Sequence, residues 1–95
     1  MGRLLNVAAE ARELAEEHLG KVVVNDVRVS DYVDWTGEDA YQVLIVVNKF
    51  DPKVLTPQAR SAVAISLIRR LDAEGDVRYP FVSFVLKRRT RRTGQ

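Results

Sequence analysis

The stretch from Val22 to Asn48 constrains the fold more than any other part of this chain. Two runs rich in β-branched residues, VVVNDVRVSDYV and AYQVLIVVN, lie on either side of a short polar segment that contains Gly37. Runs of this kind, separated by a glycine-containing segment, are typical of a β-hairpin. Asp34 can hydrogen-bond to the backbone that follows it, and Gly37 can take a positive φ, so we predict that the chain reverses direction within residues 34–39.

The first strand of this hairpin, predicted over Val22 to Val33, has an alternation that changes phase. Val22 and Val24 share one parity. The later valines share the other: Val27, Val29 and Val33. Because an extra residue in a strand reverses the order in which side chains alternate, a β-bulge near Asn25-Asp26 would bring both sets to one face.

A helix is predicted on each side of the hairpin. From Arg3 to Leu19, apolar residues recur at the i, i+3, i+4 and i+7 spacing of an amphipathic helix, and His18 falls on this apolar stripe in the last turn. The second helix is predicted from Pro57 to about Glu74. Thr56 is its N-cap, and a proline at the first helical position loses no hydrogen bond.

A last strand is predicted from Phe81 to Leu86, after Pro80. It is apolar on both parities, as is the second strand, predicted from Ala40 to Asn48. The order αββαβ predicts the α+β class: a single two-layer domain over residues 1–86, with a three-stranded sheet and two helices on one face. The sequence leaves open whether the last strand joins beside the first strand or beside the second.

One face of the predicted sheet is left uncovered, because two helices of this length can cover only one face. The second strand would present either Leu44 and Val46 or the residues of opposite parity there, and the third strand either Phe84 or Phe81 with Val85. Monomers rarely expose so much contiguous apolar surface, so we predict that another chain covers it, most simply a second copy. The alternative is a more strongly curled sheet that hides part of this face.

Four residues are the candidate interface on this reasoning: Leu44, Val46, Phe84 and Trp35. Trp35 lies at the tip of the hairpin, where it can either anchor a partner or fold back over the strands. The function that the sequence favours is therefore a small interaction module that acts by association, as a homodimer or with a partner protein, and not by catalysis.

The net charge of +2 is unevenly distributed along the chain. Residues 1–50 carry five Lys or Arg against nine Asp or Glu, which gives −4, and residues 51–95 carry ten against four, which gives +6. Residues 87–95 form a basic tail that we expect to be flexible. Its cations can neutralise phosphates and are candidate nucleic-acid-binding residues: Lys87, Arg88, Arg89, Arg91 and Arg92. The alternative is a solvated tail, since no aromatic side chain is interleaved with them for base stacking.

Catalytic and metal-binding patterns are weak in this sequence. Oxygen ligands near the hairpin could hold Mg²⁺ or Ca²⁺, but their spacing matches no calcium-binding loop: Asp26, Asp31, Asp34, Glu38 and Asp39. Turn formation is a sufficient reason for Asp34 and Asp39. His18 is the only histidine, and neither a cysteine nor a glycine-rich phosphate loop is present. A metal-dependent enzyme therefore ranks last, and we expect no cofactor.

The order αββαβ resembles the type II KH-like fold, and in particular the ribosome-binding factor A family. The points of similarity are the hairpin, the helix that follows it and the short strand after Tyr79-Pro80-Phe81. The resemblance implies binding of structured RNA, which is the alternative function. The resemblance covers the order of elements only. The G-x-x-G loop of KH domains is absent. Ribosome-binding factor A proteins have a further helix after an Ala-x-Gly kink, but here only four residues separate Ala73-Glu74-Gly75 from Pro80, which leaves no room for that helix.

The chain also carries no sign of a membrane or export segment. Its longest apolar run, Val43 to Val47, is too short to span a bilayer, and the N-terminus does not have the pattern of a secretory signal. We therefore expect a cytoplasmic protein without membrane contact.

Overall fold

The computed structural model describes residues 2–87, and the tail residues Arg88, Arg89, Arg91 and Arg92 lie outside the described part. The elements follow in the order α1 (Arg3–Leu19), β1 (Val24–Val33), β2 (Asp39–Val47), α2 (Pro57–Ala73) and β3 (Tyr79–Leu86). This confirms the predicted α+β class and the order αββαβ. Within residues 2–87, neither helix is long and apolar enough to cross a bilayer.

The sheet has the strand order β1-β2-β3, so β2 is the central strand. β1 and β2 form the antiparallel hairpin, and β3 lies parallel to β2 on its other side. A parallel neighbour requires a crossover connection, and α2 supplies it. The last strand therefore joins beside the second strand, which settles the question that the sequence left open.

The predicted β-bulge is present in β1. Val24 pairs with Val47 and Asp26 pairs with Val46, which leaves Asn25 as the extra residue. Because of this residue, Val24 and Val27 are both buried although their parities differ. The start of the strand differs from the prediction: residues 21–23 form a turn, closed by a hydrogen bond from the Val23 N–H to the Gly20 carbonyl.

The second helix begins as its sequence indicates. The Thr56 hydroxyl oxygen accepts a hydrogen bond from the Ala59 N–H at 3.0 Å, and Pro57 occupies the first helical position. Such a cap satisfies one of the N–H groups that have no partner inside the helix. α2 thus starts at the end of the sheet where β2 finishes and runs back to the end where β3 begins.

Both helices pack on one face of the sheet, where the core lies. The odd-numbered side chains of β2 from Tyr41 to Val47 are fully buried there. The residues that cover them come from one stripe on each helix: Val7, Ala11, Leu14, Ala15 and Leu19 of α1, and Val63, Leu67 and Leu71 of α2. Burial of aliphatic side chains of this size stabilises a fold by roughly 1.5–3 kcal/mol each.

Candidate interface on the open face of the sheet

The opposite face of the sheet is not covered by either helix of the described chain. Each strand contributes four alternating side chains to it, as the pairing register shows: Asp26, Arg28, Ser30 and Tyr32 of β1, Ala40, Gln42, Leu44 and Val46 of β2, and Tyr79, Phe81, Ser83 and Val85 of β3. We call this surface the open face. Its polar side chains lie mostly on β1, and its apolar ones lie on β2 and β3.

Three aromatic side chains form a cluster at the hairpin end of the open face. The Phe81 ring lies edge-to-face with Tyr32 at a centroid distance of 5.4 Å and with Tyr79 at 4.8 Å. Between Tyr32 and Tyr79 in the register lies Ala40, which is only 1% exposed. The three rings, which we call the aromatic trio, keep 41%, 36% and 50% of their surface exposed for Tyr32, Phe81 and Tyr79.

The residues predicted for the interface do not all share this face. Leu44 and Val46 lie on the open face and are half-buried. Phe84 pairs with Ile45 and packs against the core, so it lies on the helix-covered face. The prediction that Phe84 shares an interface with Leu44 and Val46 is therefore wrong. Phe81 and Val85, the other parity considered for β3, lie beside Leu44 and Val46.

Trp35 does not fold back over the strands. It lies in the hairpin turn and is 93% exposed. The turn itself is organised by Asp34, whose Oδ1 accepts hydrogen bonds from the Thr36 N–H at 2.9 Å, the Thr36 hydroxyl at 2.6 Å and the Glu38 N–H at 3.0 Å. The Thr36 hydroxyl, aided by these backbone groups, lowers the pKa of Asp34. The turn-forming role predicted for Asp34 is thus confirmed, whereas Asp39 begins β2.

Sequence reasoning missed Tyr32 and Tyr79 as members of the candidate site. The sequence predicts a strand that starts only after Pro80, whereas β3 begins at Tyr79 and includes Pro80. Among residues 2–87, β3 has a neighbour on one side only, and proline is tolerated in such an edge strand because its missing N–H can lie on the unpaired side. Tyr32 lies inside the predicted strand. Its contact with Phe81 could not be predicted, because that contact depends on the order of the strands in the sheet.

The two ends of the sheet carry different exposed charged groups. The hairpin end carries Asp34, Glu38 and Asp39, which we call the acidic turn. Every lysine of the chain lies in segments that adjoin the other end of the strands, and all are exposed: Lys21, Lys49, Lys53 and Lys87. We call this group the lysine end. Lys87 is held there by a hydrogen bond from its backbone N–H to the Val47 carbonyl at 2.7 Å.

Three further arginines of the basic half, Arg69, Arg70 and Arg78, lie far from the lysine end along the strands. Arg70 is close to the end of α2 and pairs with Glu13 at 3.2 Å, and Arg69 is its neighbour in the same helix. Arg78 precedes β3 and donates to Asp76 Oδ1 at 3.2 Å. These residues are therefore at the end of the sheet that carries the acidic turn, and they do not join Lys87.

Asp76 is the centre of an ion-pair cluster at that end. Its carboxylate accepts hydrogen bonds from the Tyr41 phenol, from Arg3 Nε at 3.0 Å and from Arg78 Nε at 3.2 Å. The Arg78 guanidinium also lies 4.3 Å from the centre of the Tyr41 ring. Burial opposes the ionisation of Asp76, but the hydrogen bonds from Tyr41, Arg78 and Arg3 outweigh it and hold its pKa well below the usual range. The cluster ties α1, β2 and the start of β3 together.

Two further titratable candidates, His18 and Asp26, each have a neighbouring polar group. His18 is exposed, not on the buried stripe as predicted, and its Nε2 lies 3.4 Å from the Ser66 hydroxyl of α2. Asp26 is occupied by Arg28 Nε at 3.2 Å and by the Val27 N–H at 2.9 Å. Among the described residues, no three His, Asp or Glu side chains are placed to hold a metal ion.

Comparison with known proteins assigns no family to this chain. No family model and no curated protein matches it. A crystal structure of an acyl-CoA synthetase from Brucella canis is similar at 16% identity and a TM-score of 0.45, over 80% of this chain and 13% of that one. A putative redox protein from Lactobacillus casei is similar at 15% identity and a TM-score of 0.46, over 92% and 64%. The chain thus spans less than two thirds of either protein, and likeness of this degree gives no indication of function.

Proposed function

We propose that this protein acts by association, and that a second copy of the chain covers the open face. The observation that carries the proposal is the aromatic trio beside Leu44, Val46 and Val85 on a sheet face that neither described helix covers. Aromatic side chains are enriched in the cores of protein interfaces, where they bury large areas at a low cost in conformational entropy. Two-fold dimers are the commonest assemblies, which makes a second copy the simplest partner.

The arrangement of polarity supports the same function. Asp26, Arg28 and Ser30 place polar groups along the β1 side of the open face, next to the apolar surface of β2 and β3. An apolar region bounded by polar side chains is the ordinary anatomy of an interface. The Arg28 and Asp26 side chains pair at 3.2 Å within one chain, so an approaching surface meets few unpaired charges there.

Sedimentation equilibrium from micromolar to several hundred micromolar protein tests this proposal. We expect a monomer–dimer equilibrium in the wild type and a shift toward monomer in Leu44→Asp and in Phe81→Ser. Ile65→Ser is the matched control, because Ile65 is a 47% exposed residue on the outer side of α2. Circular dichroism confirms that each variant is folded. A wild type that stays monomeric throughout this range would overturn the proposal.

Nucleic-acid binding through the basic tail remains the second candidate. It is supported by the position of Lys87 among the other lysines of the lysine end, because phosphates are attracted by clustered cations. The aromatic trio lies at the opposite end of the sheet, next to the acidic turn, where negative charge disfavours a stacked nucleic acid. Filter binding of RNA at several salt concentrations, with and without residues 88–95, tests this candidate, and equal, negligible retention would eliminate it.

A further inference from the structure

We infer that the two copies pack with their open faces together and their strands antiparallel, so that the acidic turn of each copy lies over the lysine end of the other. This inference rests on the proposed function. It goes further in that it assigns the orientation of the dimer and gives a role to charged groups outside the open face: Asp34, Glu38, Asp39, Lys21, Lys49, Lys53 and Lys87.

Two-fold symmetry allows two limiting orientations for sheets that pack face to face. If the symmetry axis runs along the strands, the two hairpin ends meet, and the acidic turn of one copy lies over the acidic turn of the other. If the axis lies across the strands, each hairpin end meets the opposite end of the second copy. An isologous interface must be self-complementary, so the distribution of charge along the strands decides between the two.

The charges favour the antiparallel orientation. Three carboxylates lie at the acidic turn, and the pKa of Asp34 is lowered by its hydrogen bonds, so this carboxylate is ionised at neutral pH. At the other end, the four lysines are exposed; Glu17 precedes Lys21 at the end of α1, and Asp51 lies between Lys49 and Lys53, so the lysines outnumber these carboxylates. Like charges brought together across an interface are repelled, whereas complementary patches steer and orient the partners.

Shape points the same way. The hairpin end of the open face carries the bulky aromatic trio, and the last row at the other end carries the smaller side chains Asp26, Val46 and Val85. In the antiparallel orientation each trio faces the smaller side chains of the second copy. Trp35, which is 93% exposed in the turn beyond the trio, then lies toward the lysine end of the second copy. Large groups packed against small ones fill space better than large against large.

The flat outline of the open face is small, which favours an interface that extends to both ends. β1 has ten residues, and with a rise of about 3.3 Å per residue and strands about 4.8 Å apart, the face measures roughly 30 Å by 14 Å. This is about half of the roughly 800 Å² that each partner buries in a standard interface. The acidic turn and the lysine end extend the contact surface only if they meet opposite charge.

Charge reversal tests the orientation. We expect Glu38→Lys with Asp39→Lys, and separately Lys49→Glu with Lys87→Glu, each to raise the dimer dissociation constant at least tenfold at low salt. A variant with all four changes should dimerise nearly as well as the wild type, because opposite charges face each other again. An equimolar mixture of the two double variants should also recover association. If the wild type dimerises and both double variants do so equally well, the orientation is overturned and the proposed function stands; a monomeric wild type overturns the proposed function itself.

Cysteine cross-linking provides a measurement that does not depend on affinity. The chain contains no cysteine, so Glu38→Cys and Lys49→Cys each introduce a single thiol at an exposed position. We expect a short bismaleimide to cross-link a mixture of the two variants and to leave each variant alone uncross-linked. Efficient cross-linking of Glu38→Cys with itself would overturn the antiparallel orientation. Circular dichroism on each variant ensures that only folded protein is compared.

Discussion

The Tyr41 phenol donates a hydrogen bond to Asp76, a carboxylate 35 residues away that also accepts bonds from Arg3 and Arg78. Tyr41 belongs to the central strand and is fully buried, while Asp76 lies in the connection between α2 and β3. This pair joins the middle of the sheet to the N-terminus of α1 through Arg3. It stabilises the end of the domain that carries the acidic turn.

Removal of the Asp76 carboxylate should destabilise the fold without affecting the open face. Asp76→Ala leaves the Tyr41 hydroxyl and two guanidinium groups without their shared acceptor, so we expect a loss of about 2–3 kcal/mol in the free energy of unfolding. Urea denaturation measures the loss. Asp72→Ala on the exposed side of α2 is the control and should stay within about 0.5 kcal/mol of the wild type. Equal stability of the two variants would contradict a structural role for the cluster.

The same carboxylate predicts a loss of stability in acid. The folded-state pKa of Asp76 is lowered, so the unfolded state binds its proton first as the pH falls. Its contribution is therefore fully present above about pH 4 and is lost progressively below that value. We expect the difference in unfolding free energy between the wild type and Asp76→Asn to shrink as the pH falls from 5 toward 2. A difference that stays constant over this range would contradict the lowered pKa.

Glu10 should give the opposite dependence on pH. Its Oε1 atom is buried without a hydrogen-bond partner among residues 2–87, and burial, together with the nearby Glu74 carboxylate, raises its pKa to about 7. Protonated Glu10 thus favours the folded state, and this contribution is present below about pH 4.5 and lost as the pH rises to 7. After allowance for solvent screening, we expect the free energy of unfolding to fall by on the order of 1 kcal/mol between these two pH values.

Thermal or urea unfolding at several values between pH 4.5 and 8 measures this effect. Glu10→Gln keeps the shape of the side chain but cannot ionise, so its stability should be nearly independent of pH over the same range. Glu13→Gln is the control, because Glu13 is an exposed residue of the same helix that pairs with Arg70. If the wild type and Glu10→Gln have parallel stability curves, Glu10 does not titrate with a raised pKa.

Much of the fold could be predicted from the sequence because local signals there agree with the final structure. The stripe of α1, the Thr56 cap and the change of parity near Asn25 each correspond to an observed feature. The face taken by Phe84 could not be predicted, because a strand that is apolar on both parities contains no alternation. Its face is set by the register of β3 against β2, which depends on the crossover through α2.

The distribution of charge over the surface could likewise be predicted only in part from the sequence. The sequence shows an acidic half and a basic half, but the lysines at positions 21, 49, 53 and 87 are brought to one end only by the topology of the strands. Arg78, in the basic half, is at the other end, where it pairs with Asp76. Charges that are distant along the chain therefore acquire a common location only when the strand order is known.

The fluorescence of Trp35 should report association directly. Trp35 is the only tryptophan, and it is 93% exposed in the isolated chain, so its emission should be that of a solvated indole at low protein concentration. If the hairpin tip contacts a second copy, the emission maximum should move to shorter wavelength as the concentration rises. Added salt should reverse the shift, because screening weakens attraction between the acidic turn and the lysine end. Leu44→Asp is the control and should show neither change.

Phe81 and Phe84 should respond to substitution in reciprocal ways. Phe84 packs against the core, so Phe84→Ala should lower the free energy of unfolding by about 3 kcal/mol. Phe81 is 36% exposed and loses mainly its edge-to-face contacts with Tyr32 and Tyr79, so Phe81→Ala should lower it by only about 1 kcal/mol. Sedimentation equilibrium should show the reverse order: Phe81→Ala weakens association, and Phe84→Ala associates as the wild type does under conditions where it is folded. The two residues have the same side chain and differ in the face on which they lie. An equal loss of association in both variants would therefore show that the open face is not the surface through which this protein associates.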